Sequence, residues 1–196
     1  MTIRISKPAF NLREKITQLE GTVPFERMPV GSMMLIGRNT SSNRTNISSQ
    51  QSWTNIVGAD IEVHPRLTSS LLEIHMNFTM ESQGGPNGIG FRIYRQLYYM
   101  SNVAGPAVKI YDNYQHSHWS TGLADWSGPG TIILEVYDNP YSAVADVDGS
   151  VTTDVTTKGS SVYYYAQGYR EQGNNLYVNY GQDAEGLLVT VKEIRQ

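Results

Sequence analysis

The sequence predicts an all-β protein: an antiparallel β-sandwich of jelly-roll type with a short N-terminal helical arm. Three observations predict it. Leu72-Glu73-Ile74-His75-Met76-Asn77-Phe78-Thr79-Met80 alternates apolar and polar residues without a break, the period of a strand with one buried face. Shorter alternating or apolar segments recur down the chain, separated by Gly, Pro, Asn and Ser turn formers, the spacing of a sandwich. Helix signals occur in one segment, close to the N-terminus. The division that follows is an arm over residues 1–50 and a β-sandwich domain over 51–196.

The arm opens on Asn11-Leu12-Arg13-Glu14, a capping box in which Asn11 accepts from a first-turn amide and Glu14 reaches back. Leu12, Ile16 and Leu19 then share one helical face, and Gly21 supplies the left-handed stop. A helix over about 11–20 is too short to be stable alone in water. Its stripe must dock, either on its own domain or on a partner subunit. Leu12, Ile16, Leu19 and Phe25 are the arm residues expected to bind that partner. Pro24 and Pro29 rule out a continued helix. Val30–Gly37 reads as a first strand, and Arg38–Ser52, rich in Ser, Thr, Asn and Gln, as a loop or extended edge segment.

From Trp53 onward the strands follow one another. Ile61 and Val63 alternate with Asp60, Glu62 and His64 until Pro65 ends the run. A turn at Leu67-Thr68-Ser69-Ser70 leads into the alternating strand, which places Leu72, Ile74, Met76, Phe78 and Met80 inward. After the Gln83–Gly88 loop, Ile89, Phe91 and Ile93 point inward, with Arg92 and Tyr94 outward. Residues 98–128 read as irregular and aromatic. Ile132–Tyr137 is a strand closed by Asp138-Asn139-Pro140, and Val162–Ala166 and Leu176–Tyr180 flank an expected hairpin at Arg170–Asn175. Leu187–Val191 completes about eight strands, the complement of a jelly roll.

Composition narrows the function. The chain of 196 residues can bury a core without staples. It has no cysteine, which removes thiolate metal sites, disulfides and cysteine nucleophiles. Net charge is −3 with no basic block, so the electrostatic footprint of a nucleic-acid binder is missing. No apolar run is long enough for a membrane helix. Met1–Pro8 lacks the apolar core of a signal peptide, so export by that route is not expected.

Motifs with chemical content are weak. His116 and His118, with Asp112 and Asp125 nearby, could outline a metal site, but two histidines in a turn-rich loop are more often surface residues. Asp146-Val147-Asp148-Gly149 starts like a calcium loop, yet Gly149 follows too early and Thr157 stands where the closing glutamate belongs. Asn39, Asn43, Asn46 and Asn77 head glycosylation-type triplets that this composition makes by chance. No nucleophile elbow, phosphate loop or dinucleotide fingerprint is present. No cofactor and no catalytic or metal residue is expected. Tyr98, Tyr99, Tyr111, Tyr114, Trp119 and Trp126 crowd one segment. Such residues seal a sandwich end, supply rigid contact area at subunit interfaces, or stack on sugar rings.

Several segments resemble the tail-fibre-like β-sandwich modules found in virion proteins of marine tailed bacteriophages. They are Gln51–Pro65, with its Ser lead-in, Trp53, Val57-Gly58 pair and closing proline; Ser69-Ser70 with Leu71–Met80; Phe91-Arg92-Ile93-Tyr94-Arg95; Tyr163–Tyr165; Asn174-Asn175; and Glu193-Ile194. The longer segment at 98–128 and the arm depart from that pattern. The resemblance implies a non-enzymatic structural protein of a virion: a tail fibre, tail accessory or capsid decoration protein. It implies attachment through the arm to other virion proteins and assembly as a homo-oligomer, a trimer above all. Two further readings are a module recognising a host-surface glycan through the Tyr/Trp segment, and a surface-polysaccharide hydrolase leaning on Asp125 or His118.

Overall fold

The computed structural model describes residues 24–67, 69–82, 89–98, 104–113, 130–140, 161–171, 175–179 and 186–196. After a single 3-10 turn at Phe25–Arg27, these residues form ten strands: β1 (Met33–Ser41), β2 (Thr45–Ile47), β3 (Trp53–Val63), β4 (Leu71–Ser82), β5 (Ile89–Tyr98), β6 (Ala104–Asp112), β7 (Gly130–Asp138), β8 (Ser161–Arg170), β9 (Leu176–Val178) and β10 (Leu187–Ile194).

They make two antiparallel sheets. In sheet A, β10 lies between β1 and β4, and β7 flanks the other side of β4. The short β9 continues the line of β10 along the end of β4, and β2 pairs β9. Sheet B runs β3-β8-β5-β6. Numbering the eight long strands in chain order, sheet A reads first-eighth-third-sixth and sheet B second-seventh-fourth-fifth. That interleaving is a jelly roll: successive strands alternate between sheets except the fourth and fifth, which pair within sheet B, and the whole closes two Greek keys.

The core lies between the sheets. Leu72, Ile74, Met76, Phe78 and Met80 of β4 are all buried, as strict alternation requires of a strand with one wet face. They face Ile89, Phe91, Ile93 and Leu97 of β5 and Val162, Tyr164 and Ala166 of β8 in one continuous cluster. Phe78 and Phe91 meet across the gap with ring centroids 5.1 Å apart at 57°, a favoured tilted geometry.

One inward position of β5 is not apolar. Arg95 is 1% exposed, and its Nη1 lies 2.7 Å from Asp138 Oδ1 at the end of β7. The hydroxyl of Tyr164 donates to Asp138 Oδ2 at 2.8 Å. Arg95 and Tyr164 are register partners in sheet B, whereas Asp138 belongs to sheet A, so this charge pair bolts one sheet to the other. Burial pushes the Asp138 carboxyl upward, opposed by the Arg95 charge and the Tyr164 hydrogen bond. A second buried carboxylate, Glu193 of β10, accepts through Oε1 from Arg66 N at 2.8 Å, Leu67 N at 3.0 Å and Ser70 Oγ at 2.7 Å. It thereby fixes the connection between β3 and β4.

The structure departs from the sequence expectations in four places. The sandwich begins at Met33: β1 and β2 pair β10 and β9, so the boundary placed at residue 50 falls inside the domain. The stretch after Arg38, expected as a loop or extended edge segment, completes the edge strand β1 and supplies β2, and its polar side chains take structural roles. Asn39 Nδ2, for example, donates to the carbonyls of Gly58 and Asp60 at 3.2 and 2.7 Å. The segment read as irregular contains β6, an edge strand whose alternation is broken by register shifts and by Pro106, which an edge tolerates. Arg170–Asn175 is no hairpin, because β8 lies in sheet B and β9 in sheet A. Phe25 is fully buried within the monomer, so its ring offers no surface to a partner. The expected helix over 11–20 lies outside the described residues.

Replacing Asp138 by alanine takes the paired carboxylate from buried Arg95 and should cost about 3–5 kcal/mol in urea unfolding, with most of it recovered in an Arg95→Met/Asp138→Leu double variant. A single variant as stable as the parent would show that the pair does not hold the sheets.

Candidate functional site

The jelly roll turns two sheet faces outward, and their chemistry differs. On sheet A the register aligns cross-strand rows: Met33–Ile194–Leu71, Leu35–Lys192–Glu73–Tyr137, Arg38–Thr190–His75–Glu135 and Thr40–Leu188–Asn77–Ile133. An antiparallel face open to water normally carries polar side chains. Here Met33, Leu35, Ile133 and Tyr137 stand more than half exposed along the two outer strands.

Between those apolar margins sits a charge network. Lys192 Nζ lies 3.1 Å and His75 Nε2 2.6 Å from Glu73 Oε1, and His75 Nε2 is 3.8 Å from Glu135. The Tyr137 hydroxyl donates to Glu135 at 2.9 Å. Burial pushes the Glu73 carboxyl up, but Lys192 and His75 more than offset this and hold it below the ordinary range. Glu135 in turn raises the Tyr137 hydroxyl. Glu73, His75 and Glu135 bring three potential ligand atoms within 4.8 Å of one another. Two ligands on a tetrahedral zinc stand about 3.3 Å apart, wider than the His75–Glu73 contact, and the Lys192 ammonium already supplies positive charge at Glu73. The arrangement fits an ion-pair network better than a metal centre.

Sheet B presents an aromatic face. Val162, Tyr164 and Ala166 point inward, which turns Tyr163 and Tyr165 outward, beside Tyr94 and Tyr98 of β5. Tyr94 and Tyr165 stack at 5.3 Å and 11°, Tyr98 meets Tyr163 edge-on at 6.0 Å, and Tyr163 lies 5.7 Å from Tyr165. The Tyr163 hydroxyl donates to Asp60 Oδ2 at 3.0 Å. Burial, followed by that hydrogen bond and the Asp60 charge, pushes the Tyr163 hydroxyl up to about 12. Beside the rings, β3 bulges between Asn55 and Asp60. Gly58 makes the bulge with φ +81°, and a Cβ there would run into the Ser41 side chain, so glycine is required on both counts. The bulge walls a depression of about 410 Å³ lined in part by Asn55, Asp60, Gln96, Tyr163 and Tyr165.

Of the aromatic candidates singled out by sequence, Tyr98 lies on this face, while Tyr111 packs against the core from the inner side of β6. Tyr99, Tyr114, Trp119 and Trp126 lie outside the described residues, as do Leu12, Ile16 and Leu19 and the His116/His118 and Asp146/Asp148 motifs. Asp112 is held in ion pairs with Arg92 and Lys109, at 3.1 and 3.0 Å. Sequence reasoning missed the tyrosine ladder. Its signal was there in Val162-Tyr163-Tyr164-Tyr165-Ala166, where an inward Tyr164 forces its neighbours out.

No protein-family model matches the chain, and no curated protein sequence matches it. Among solved structures, infectious bursal disease virus of the Gt strain is similar at 12% identity and TM-score 0.37, over 84% of this chain and 38% of that one. The Gx strain gives 11% and 0.37, over 84% and 36%. A mutant VP2 protein of the same virus, in T=1 particles, gives 11% and 0.38, over 89% and 40%. The chain thus spans about two-fifths of the length of these proteins.

Two pH responses follow. Because Glu73 is depressed in the fold, its contribution to stability is complete above the unfolded carboxylate value and disappears as pH falls through the folded one. Unfolding midpoints followed from about pH 6 to 3 should therefore drop less steeply in Glu73→Gln than in the parent. Tyr163 is raised, so its contribution holds below about pH 10 and is lost as pH rises toward about 12. Tyr163→Phe should flatten that alkaline decline, and an unchanged slope would dissociate Tyr163 from it.

Proposed function

We propose that the chain is a non-enzymatic structural subunit of a virus particle, and that it assembles through the outward face of sheet A. The observation that carries this reading is the exposure of Met33, Leu35, Ile133 and Tyr137 on a sheet face that water would otherwise select to be polar. The outer strands β1 and β7 are each nine residues long. Four strands of that length, spaced about 4.8 Å, present about 30 Å by 19 Å of sheet, near the scale of the roughly 800 Å² per partner that a stable interface takes.

The charges on this face suit a second copy of the same chain. Exposed Arg38 stands at the β1 margin and exposed Glu135 at the β7 margin of one row. A copy turned by a two-fold axis would set Arg38 of each over Glu135 of the other, the self-complementarity that an isologous contact needs. The finer reading is a tailed bacteriophage particle, with this subunit as tail fibre, tail accessory or head decoration protein, attached by its arm and oligomeric. That part rests on the resemblance of Gln51–Pro65, Leu71–Met80 and Phe91–Arg95 to the phage module.

Light scattering on the whole chain should show concentration-dependent self-association. A Leu35→Asp/Ile133→Asp variant, which removes two apolar contacts per copy, should weaken it about a hundredfold or more while melting like the parent. A chain that stays monomeric at every concentration, or a variant that associates as well as the parent, would remove the sheet A interface.

A further inference from the structure

The depression on sheet B has features that assembly through sheet A does not use. Its aromatic wall is rigid before anything binds. Tyr165 is backed by the parallel ring of Tyr94, and Tyr163 is held by its hydrogen bond to Asp60 and by the edge contact with Tyr98. Aromatic surface fixed in this way loses little entropy on contact. Val57, at the tip of the β3 bulge, also lines the depression and stands 51% exposed.

The polar groups around it are also oriented. Asn55 Oδ1 accepts from Gln167 Nε2 at 2.8 Å, which turns the Asn55 Nδ2 donor outward. Gln96 Nε2 donates to the carbonyl of Gly105 at 2.8 Å, which leaves its Oε1 as an acceptor. Asp60 takes the Tyr163 proton donor on Oδ2 and keeps Oδ1 as a second acceptor. One donor and two acceptors beside a ring face match a molecule with adjacent hydroxyls on one side and C–H groups on the other. Among the described residues no Lys or Arg lines the depression, and Asp60 does, so the site disfavours phosphate, sulfate and carboxylate ligands. Nucleobases would stack equally well, but they arrive with phosphates. The volume lies within the range of small-ligand sites.

We infer that this depression, between the β3 bulge and the Tyr163/Tyr165 ladder, is a binding site for an uncharged, hydroxyl-rich saccharide. The inference goes beyond the assembly reading and does not depend on it. A sugar unit lies with its C–H face on Tyr165 and its hydroxyls on Asp60, Asn55 and Gln96. Specificity comes from Asp60, which accepts hydroxyl hydrogens and repels acidic sugars.

The test is saturation-transfer NMR and calorimetry on the full chain with neutral oligosaccharides (glucose, mannose and galactose polymers). Sialylated and sulfated oligosaccharides and a proline-rich peptide serve as comparison ligands. At least one neutral oligosaccharide should bind at millimolar concentration, and the acidic ones should bind less well. Tyr165→Ala and Asp60→Asn should each weaken binding about tenfold or more, while Tyr165→Phe, which keeps the ring, should bind within about threefold of the parent. Thr190→Ala on the opposite sheet should leave binding unchanged. Failure of every neutral oligosaccharide, stronger binding of the acidic ones, binding of the peptide alone, or indifference to both Tyr165→Ala and Asp60→Asn would each overturn the site.

Discussion

The apolar rows of β4, β5 and β8, pressed against each other between the sheets, set the register of the fold. A strand's side chains alternate with period two, so a one-residue slip of β4 would exchange Leu72, Ile74, Met76, Phe78 and Met80 for Glu73, His75, Asn77 and Thr79 in the core. That penalty is far larger than any contribution from the outer faces, and it dictates which residues those faces display. Arg95, Asp138 and Tyr164 add a directional element to an otherwise non-directional core. A buried ion pair is a poor source of stability compared with apolar packing. A guanidinium that must meet one carboxylate does, however, discriminate against sheets sliding over each other.

With the core fixed, the two outer surfaces divide the chemistry. Sheet A combines an apolar margin with a compact charge network, and the network leaves few isolated charges that an apposed protein would have to desolvate unpaired. Sheet B instead spends its outward positions on tyrosines, held by Asp60 and by one another. The β3 bulge turns what would be a flat ladder into a concavity, a known use of bulges in redirecting side chains. Its cost is confined to one residue, Gly58, whose backbone no other side chain could follow in that space.

Strands with unbroken alternation were legible in the sequence: β4 in each of its inward residues Leu72, Ile74, Met76, Phe78 and Met80, and β5, β7, β8 and β10 in outline. Elements whose pattern is carried by something other than alternation were not. β1 was legible only in its first half, to Gly37; the rest of it and β2 hide among Asn, Ser and Thr, whose side chains bond backbone groups across the sandwich, Asn39 to the carbonyls of Gly58 and Asp60 and Thr45 Oγ1 to the amide of Val57. β6 hides behind Pro106 and its register shifts, with Lys109 buried against Asp112. Sheet membership was equally out of reach, since the step from β8 to β9 looks like a hairpin until long-range pairing sends the two strands to different sheets. The functional surfaces were half visible. Tyr94 could be placed outward from its neighbours alone, and the alternation of Tyr163 with Tyr165 follows the same rule. The depression depends on Asn55 and Asp60 of β3 meeting Gln96 of β5 across the intervening β8, which no local pattern encodes.

β10 is the last of the described strands to leave the ribosome, yet it sits between β1 and β4 in the interior of sheet A. Among the described residues, β1 has no neighbour in its sheet until β10 arrives, and one long edge of β4 has only the short β9 to pair with. The nascent chain therefore carries an open, sticky seam through most of its synthesis. Glu193 arrives with β10 and locks the connection at Arg66–Ser70 only then. Closure of sheet A is thus timed by β10, which acts as a zip joining two previously separate halves of one sheet.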